Sequence, residues 1–116
     1  MKKIHTISFF HAFQGLAYAL NSQPNFIIHV TLSCLVLLAG FYFGLSRPEW
    51  MIIVVTIFVG LVIELINTAI ESTVDLITRE WRLDAKHAKD TAAAAMLIYA
   101  AGAMIIAAII FLPKFV

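Results

Sequence analysis

The sequence predicts an all-α membrane protein with one short amphipathic helix followed by three transmembrane helices. Of its 116 residues, 62% are apolar and 13% are charged, which is more apolar surface than a soluble domain of this length can bury. Three apolar segments each reach the roughly 20 helical residues that cross a bilayer core; they span residues 25–44, 50–77 and 90–112. We expect residues 1–116 to form a single membrane domain.

Residues 8–21, which precede the first span, predict the amphipathic helix. At about 100° per residue, Phe9, Phe13 and Leu20 lie on one side of the helix. His11 and Gln14 lie on the other side. We expect this helix to lie in the cytoplasmic interface of the membrane. The alternative is an ordinary surface helix that packs on the bundle.

The basic residues predict the orientation of the spans. With the N-terminus inside the cell, six of the eight Lys and Arg residues are cytoplasmic: Lys2, Lys3, Arg79, Arg82, Lys86 and Lys89. Arg47 and Lys114 lie outside, which satisfies the positive-inside rule for every segment. The net charge of +1, without a basic patch, argues against a nucleic-acid partner. Three spans enclose little by themselves, so we expect a homo-oligomer.

The stretch "ELINTAIESTVD", residues 64–75, places three carboxylates in the second span. Relative to Glu64, Glu71 lies at about −20° and Asp75 at about +20° around the helix, with Asn67 at about −60°. Glu64 lies about 10 Å deeper in the membrane than Glu71. Because charged side chains inside membrane segments are costly and rare, this polar face predicts a functional site.

Two interpretations of these carboxylates stay open on the residues alone. In one, they pair with Arg79, Arg82 or Lys89 and hold helices together, which suits Asp75 better than the deeper Glu64. In the other, stacked carboxylates beside a cation-rich loop bind Mg²⁺, which takes oxygen ligands and usually arrives with phosphates. The deepest carboxylate then suits a general base.

The stretch "AKHAKD" places Lys86, Lys89 and Asp90 at the cytoplasmic start of the third span. A lysine there can hold a phosphate as a point charge. The alternative for both lysines is simple anchoring under the positive-inside rule. The sequence contains neither of the two common glycine-rich nucleotide-binding loops.

The runs "ELINTAIESTVDLI" and "AKHAKDTAAAAML" resemble the signature of the small prokaryotic diacylglycerol kinases, which include undecaprenol kinases. The resemblance extends from "FFHAFQGLAYAL" to the end of the chain. It implies a homotrimer in the bacterial inner membrane, with cytoplasmic active sites shared between subunits. It also implies transfer of the γ-phosphoryl group of ATP, with Mg²⁺, to the hydroxyl of a lipid alcohol, either diacylglycerol or undecaprenol.

Residue by residue, the resemblance implies that Glu64 is the general base and that Glu71 is a metal ligand. Four further positions match the family's cofactor-binding signature: Asn67, Asp75, Lys89 and Asp90. Of these, Lys89 and Asp90 match positions that contact the phosphates and the adenosine portion of the nucleotide.

The stretch "QPNFIIH" departs from the family pattern. Gln23 stands where the family carries a second metal-ligand Glu, and Ile27 stands where Arg is common. Gln offers a carbonyl oxygen without charge, so we expect Gln23 to be a weaker Mg²⁺ ligand in an active enzyme. One alternative is a catalytically weakened relative that acts as a membrane assembly or regulatory subunit. Another is a proton-coupled small transporter, because a buried membrane Glu also serves that chemistry.

Overall fold

Over its described residues, the chain forms four α-helices and a short C-terminal 3-10 helix in a computed structural model. The structure describes the backbone of residues 2–116 and the side chains of residues 8–116. The helices are α1 (Lys2–Ser22), α2 (Pro24–Phe43), α3 (Arg47–Ile77) and α4 (Leu83–Phe111), followed by the 3-10 helix (Leu112–Phe115). By length and composition, α2, α3 and the segment Leu83–Phe115 could each cross a membrane. The predicted all-α architecture with three apolar helices of membrane-spanning length is confirmed.

Helix α1 is continuous and includes the predicted amphipathic segment, residues 8–21. Its Phe9 and Phe13 side chains are 70% and 69% exposed. The helix packs on α2 and α3, and the Tyr18 hydroxyl lies 3.5 Å from the hydroxyl of Ser72 on α3. Exposed phenylalanines are what a helix in the membrane interface requires, and that placement stays a prediction.

Residues 44–46 reverse the chain between α2 and α3. Gly44 has a φ of 68°, a left-handed conformation that favours glycine at the end of a helix. Ser46 begins α3 with a capping box: its Oγ accepts a hydrogen bond from the Glu49 N–H at 3.4 Å, and its N–H donates to Glu49 Oε2 at 2.9 Å. The capping box satisfies backbone groups at the start of α3, and the left-handed Gly44 ends α2. Together they permit a very short connection.

Residues 78–82 connect α3 to α4. Residues 78–89 are polar between two apolar segments, a composition that fits either a loop or a helical extension beyond the membrane. Residues 83–89 are helical, so α4 begins before the predicted span at residue 90. The polar residues Lys86, Lys89 and Asp90 therefore lie on one rigid helix that continues into the apolar segment.

Helix α3 is central and packs against both α2 and α4. The molecule is flat, with extents of 52 × 43 × 21 Å, so most apolar side chains stay at its surface. The end with the residue 44–46 connection, here called the turn end, contains a buried apolar cluster of Leu45, Ile53 and Ile110. At this end Lys114 Nζ lies 3.2 Å from Glu49 Oε1. The opposite end, with residues 78–82, is called the loop end.

Candidate active site

Helix α3 carries a buried polar seam, formed by Glu64, Asn67 and Thr68. Their exposed fractions are 3%, 9% and 4%, although most large apolar side chains of the same helix are exposed. Helical spacing places the half-buried Glu71 on the same face. The Thr68 hydroxyl donates to the backbone carbonyl of Glu64 at 3.0 Å. The polar alignment expected from the sequence is therefore present in the folded chain, and its deepest part is shielded from solvent.

Among the described side chains, no cation lies beside the Glu64 carboxylate. Within the described side chains, neither a hydrogen bond nor an ion pair reaches it. A buried ionisable group without a partner costs free energy, and proteins retain such groups in membrane segments mainly where function uses them. No contact among the described residues therefore supports the interpretation in which Glu64 pairs with a basic residue to hold helices together.

Asn67 lies between Glu64 and Glu71 in the seam. Its Nδ2 atom lies 3.4 Å from Oε1 of Glu71, which is a long hydrogen bond. Its Oδ1 atom is fully buried and has no hydrogen-bond partner among the described residues. A buried oxygen without a partner costs on the order of 1–3 kcal/mol, so each such atom calls for an explanation.

Two ion pairs at the loop end involve residues of α4, and a third joins Arg82 to Glu80 within the connection at 4.0 Å. Lys89 Nζ lies 2.7 Å from Asp75 Oδ1 and joins α4 to α3. Lys86 and Asp90 form the second pair, one turn apart on α4. The four side chains are 42–58% exposed, and exposed pairs stabilise a fold little. The contact between helices that was considered for Asp75 is thus present. Because the pair is half-exposed, the Lys89 ammonium group can release the Asp75 carboxylate and bind a phosphate instead.

A pocket of about 340 Å³ lies beside these ion pairs, between residues 78–82 and the first turns of α4. Asp75, Lys89 and Asp90, which the family resemblance implies as cofactor-binding residues, all line it. Arg79 and Trp81 also line it and were not predicted for this role. The stretch "TREWR" could have indicated this role, because it places an indole ring beside arginines. Aromatic rings stack on bases, and Arg binds phosphates.

Gln23 lies at the junction of α1 and α2. Its N–H donates to the carbonyl of Ala19 at 3.0 Å, and its carbonyl accepts from the N–H of Phe26 at 3.1 Å. Its side chain does not cap α2. Within the described residues, no hydrogen bond links Gln23 to Glu71. The two predicted metal-site residues of one chain therefore share no hydrogen bond among the described residues.

The seam offers oxygen atoms to a divalent cation. Among the side chains that the structure describes, no three His, Cys, Asp or Glu residues cluster closely enough to enclose a metal. Mg²⁺ needs no such cage, because it is usually bound by one or two carboxylates together with waters and substrate phosphates. The Glu71 carboxylate and the unpaired oxygen of Asn67 are donors of this kind. The residues therefore fit Mg²⁺ that arrives with a nucleotide.

The three apolar helices meet closely one turn from Glu64, towards the turn end. Gly60 on α3 lies against His29 of α2 and Tyr99 of α4, and a Cβ atom at residue 60 would overlap both side chains. The two rings stack with centroids 5.5 Å apart. The Tyr99 hydroxyl donates to the backbone carbonyl of Thr56 at 2.6 Å. This crossing fixes how α3 is turned, and therefore which way the seam faces.

An apolar cavity of about 330 Å³ extends from this crossing towards the turn end, along α2, α3 and α4. Its wall is mostly aliphatic, with residues such as Leu32, Ile57 and Met104, and His29 and Tyr99 line it as well. An elongated apolar space that begins about one helical turn from a buried carboxylate has the character of a site for a hydrocarbon chain.

Known proteins resemble this chain over most of its length. The family model described as "Prokaryotic diacylglycerol kinase" matches residues 10–111. An undecaprenol kinase of Bacillus subtilis (strain 168) is 47% identical over 107 residues, which cover 92% of this chain and 87% of that protein. A diacylglycerol kinase of Synechocystis sp. is 36% identical over 108 residues, covering 92% of this chain and 62% of that protein. A diacylglycerol kinase of Helicobacter pylori is 37% identical over 91 residues, covering 77% and 70%.

Proposed function

Because the chain belongs to the prokaryotic diacylglycerol kinase family, we propose that it transfers the γ-phosphoryl group of ATP to the hydroxyl of a membrane lipid alcohol. The chain is a lipid kinase, and its relatives favour this function over a transporter or a non-enzymatic subunit. ATP as the donor, Mg²⁺ as the cofactor and the roles of the residues below are what we propose for it.

Glu64 is the general base of the proposed reaction. Its burial at 3% exposure, without a cationic partner among the described side chains, is the observation that carries the proposal. The alcohol oxygen forms a bond to the γ-phosphorus while the bond between that phosphorus and ADP breaks. The hydroxyl proton passes to a carboxylate oxygen of Glu64. Phosphoryl transfer asks mainly for positioning and charge neutralisation, so one base with a few charged groups suffices.

The nucleotide is held at the loop end of the seam. Lys89 binds the phosphates after leaving Asp75, Asp90 contacts the adenosine portion, and Asn67 and Asp75 complete the binding face. The pocket that Asp75, Lys89 and Asp90 line supports this arrangement. Glu71 holds Mg²⁺, with Gln23 as a neutral oxygen ligand. When bound, the cation neutralises negative charge on the phosphates.

The lipid chain lies in the apolar cavity, with its hydroxyl towards Glu64. The position of the cavity about one turn from Glu64 supports this orientation. Both diacylglycerol and undecaprenol satisfy the chemistry. We favour undecaprenol, because the Bacillus subtilis relative of that name is 47% identical while the diacylglycerol kinases of Synechocystis and Helicobacter pylori are 36% and 37% identical.

We place the enzyme in the bacterial inner membrane as a homotrimer with its N-terminus and active sites in the cytoplasm. The distribution of basic residues supports the orientation. The flat chain, 21 Å in its shortest dimension, supports assembly, because one copy leaves the face of a lipid site open. Cross-linking of the purified protein in micelles measures the oligomeric state.

The decisive experiment offers the purified protein radiolabelled ATP and one lipid alcohol at a time in mixed micelles. We expect Mg²⁺-dependent transfer of label to undecaprenol, with diacylglycerol as the comparison. A folded protein that labels neither lipid would favour the non-enzymatic subunit that Gln23 suggests. Substrate efflux from proteoliposomes without ATP would favour the transporter.

A further inference from the structure

We propose that Asn67 is a ligand of the divalent cation held by Glu71, and that its side-chain amide turns over to present Oδ1 to that cation. The inference rests on the proposed function, because it assigns one more residue to the same site. It also explains how the site can bind a cation although residue 23 is Gln.

The Asn67 amide makes little use of its hydrogen-bonding groups. The side chain is 9% exposed, and its Oδ1 atom is buried without a hydrogen-bond partner among the described residues. Its Nδ2 atom makes only the long contact of 3.4 Å to Glu71 Oε1. One end of the amide is thus weakly bonded and the other end is not bonded at all, so the observed orientation uses little of its hydrogen-bonding capacity.

The Asn67 and Glu71 side chains lie about as far apart as two ligands of one cation. Adjacent oxygen ligands of an octahedral Mg²⁺ ion lie roughly 3 Å apart, because each metal–oxygen distance is about 2.0–2.1 Å. The amide atom that faces Glu71 lies 3.4 Å from the carboxylate oxygen, close to that separation. The nitrogen and oxygen of an Asn amide have nearly the same size, so rotation by half a turn exchanges them with little steric change.

Glu64 is a neighbour of Asn67 on α3. It precedes Asn67 by three residues and therefore lies one turn away, on the side of Asn67 opposite to Glu71. After the amide turns, its N–H groups face the Glu64 turn instead of Glu71. The buried Glu64 has no other side-chain hydrogen-bond partner among the described residues; helical spacing brings the two side chains near each other, so we expect its carboxylate to accept from Nδ2.

The turned amide therefore satisfies three groups at once. Its oxygen and the Glu71 carboxylate share the cation, and its nitrogen donates to Glu64. Asn67 becomes a positioning residue for the base as well as a metal ligand, because the same rotation that ligates the cation orients the Glu64 carboxylate. The geometry thereby links occupancy of the metal site to readiness of the base.

The test measures Mn²⁺ binding to the full-length protein in micelles, by electron paramagnetic resonance, with a non-hydrolysable ATP analogue present. Asn67→Leu keeps the size of the side chain and removes its oxygen. We expect the Mn²⁺ affinity to fall roughly tenfold or more, since losing a supporting residue of a metal site already costs 10–100-fold. Asn67→Asp keeps an oxygen and adds charge, and we expect it to bind Mn²⁺ at least as tightly as the wild type.

Thr68→Val is the matched control, because Thr68 is equally buried in the seam and its hydroxyl is bonded to the backbone. We expect its Mn²⁺ affinity to be unchanged. Glu71→Gln removes a proposed carboxylate ligand and shows how far the affinity falls when one ligand is lost. A folded Asn67→Leu protein with wild-type affinity overturns the inference, as does equal loss in the Leu and Asp variants. Neither result affects the lipid-kinase assay of the wild type, whose failure would count against the proposed function alone.

Discussion

Lys89 Nζ and Asp75 Oδ1 lie 2.7 Å apart and join the first turns of α4 to the last turn of α3. Both side chains line the 340 Å³ pocket at the loop end. The pair holds the Lys89 ammonium group at the pocket wall, where an entering nucleotide would meet it. The phosphates must then compete with Asp75, and the exposure of the pair makes that exchange easy.

Lys89→Ala is expected to raise the KM for ATP roughly tenfold or more, because the phosphates lose a charge-assisted hydrogen bond. The measurement is the ATP dependence of lipid phosphorylation at saturating lipid. Lys86→Ala is the matched control, since Lys86 pairs with Asp90 on its own helix, and we expect a smaller effect. An unchanged KM in the Lys89 variant would return this residue to membrane anchoring.

Glu64→Gln is expected to lower kcat by roughly 10² or more, the usual contribution of a positioned base. Gln keeps the size of the side chain and its hydrogen-bonding capacity, so the protein should fold and extract normally. Nucleotide affinity should persist, because the side chains proposed to hold the phosphates and the cation, Lys89 and Glu71, are unchanged. A well-folded variant that keeps most of its turnover would remove Glu64 from the mechanism.

Gln23→Glu is expected to lower the Mg²⁺ concentration that gives half-maximal activity, because a charged oxygen ligand replaces a neutral one. A titration of activity with Mg²⁺ at fixed ATP checks this. Ser22→Glu adds the same charge at an exposed neighbouring position and controls for general electrostatic attraction. If both variants respond equally, residue 23 has no specific role at the cation.

Gly60→Ala is expected to destabilise the fold by about 1–3 kcal/mol or more, because the added methyl group overlaps His29 and Tyr99. Thermal unfolding in micelles gives the change. Gly102→Ala is the control: this glycine is also helical, and a Cβ atom there meets nothing within 4 Å. The control should be neutral or slightly stabilising. Equal stability of the two variants would show that the helices can separate at this crossing without cost.

The order of the helices and the polar face of α3 could be predicted, because both depend on local periodicity. Glu64, Asn67 and Glu71 share a face whatever surrounds them. The start of α4 stayed open between a loop and a helical extension, because residues 83–89 are polar and the span was judged by hydrophobicity alone. Their helical state follows from good helix formers such as Ala85 and Lys86.

Contacts between helices could not be predicted in the same way. The crossing of Gly60 with His29 and Tyr99 depends on how each helix is rotated about its axis, which no local pattern determines. The position of Trp81 in the pocket depends likewise on the path of residues 78–82. The unpaired oxygen of Asn67 is visible only once its neighbours are in place.

The two ends of the helix layer are held together very differently. At the turn end, Leu45, Ile53 and Ile110 are buried together, and the Lys114–Glu49 ion pair is only 23–29% exposed. At the loop end, α3 and α4 are joined by the half-exposed Asp75–Lys89 pair. Local opening concentrates where buried apolar contacts are few. The helices should therefore separate more readily at the loop end, around the pocket that Asp75 and Lys89 line, than at the turn end.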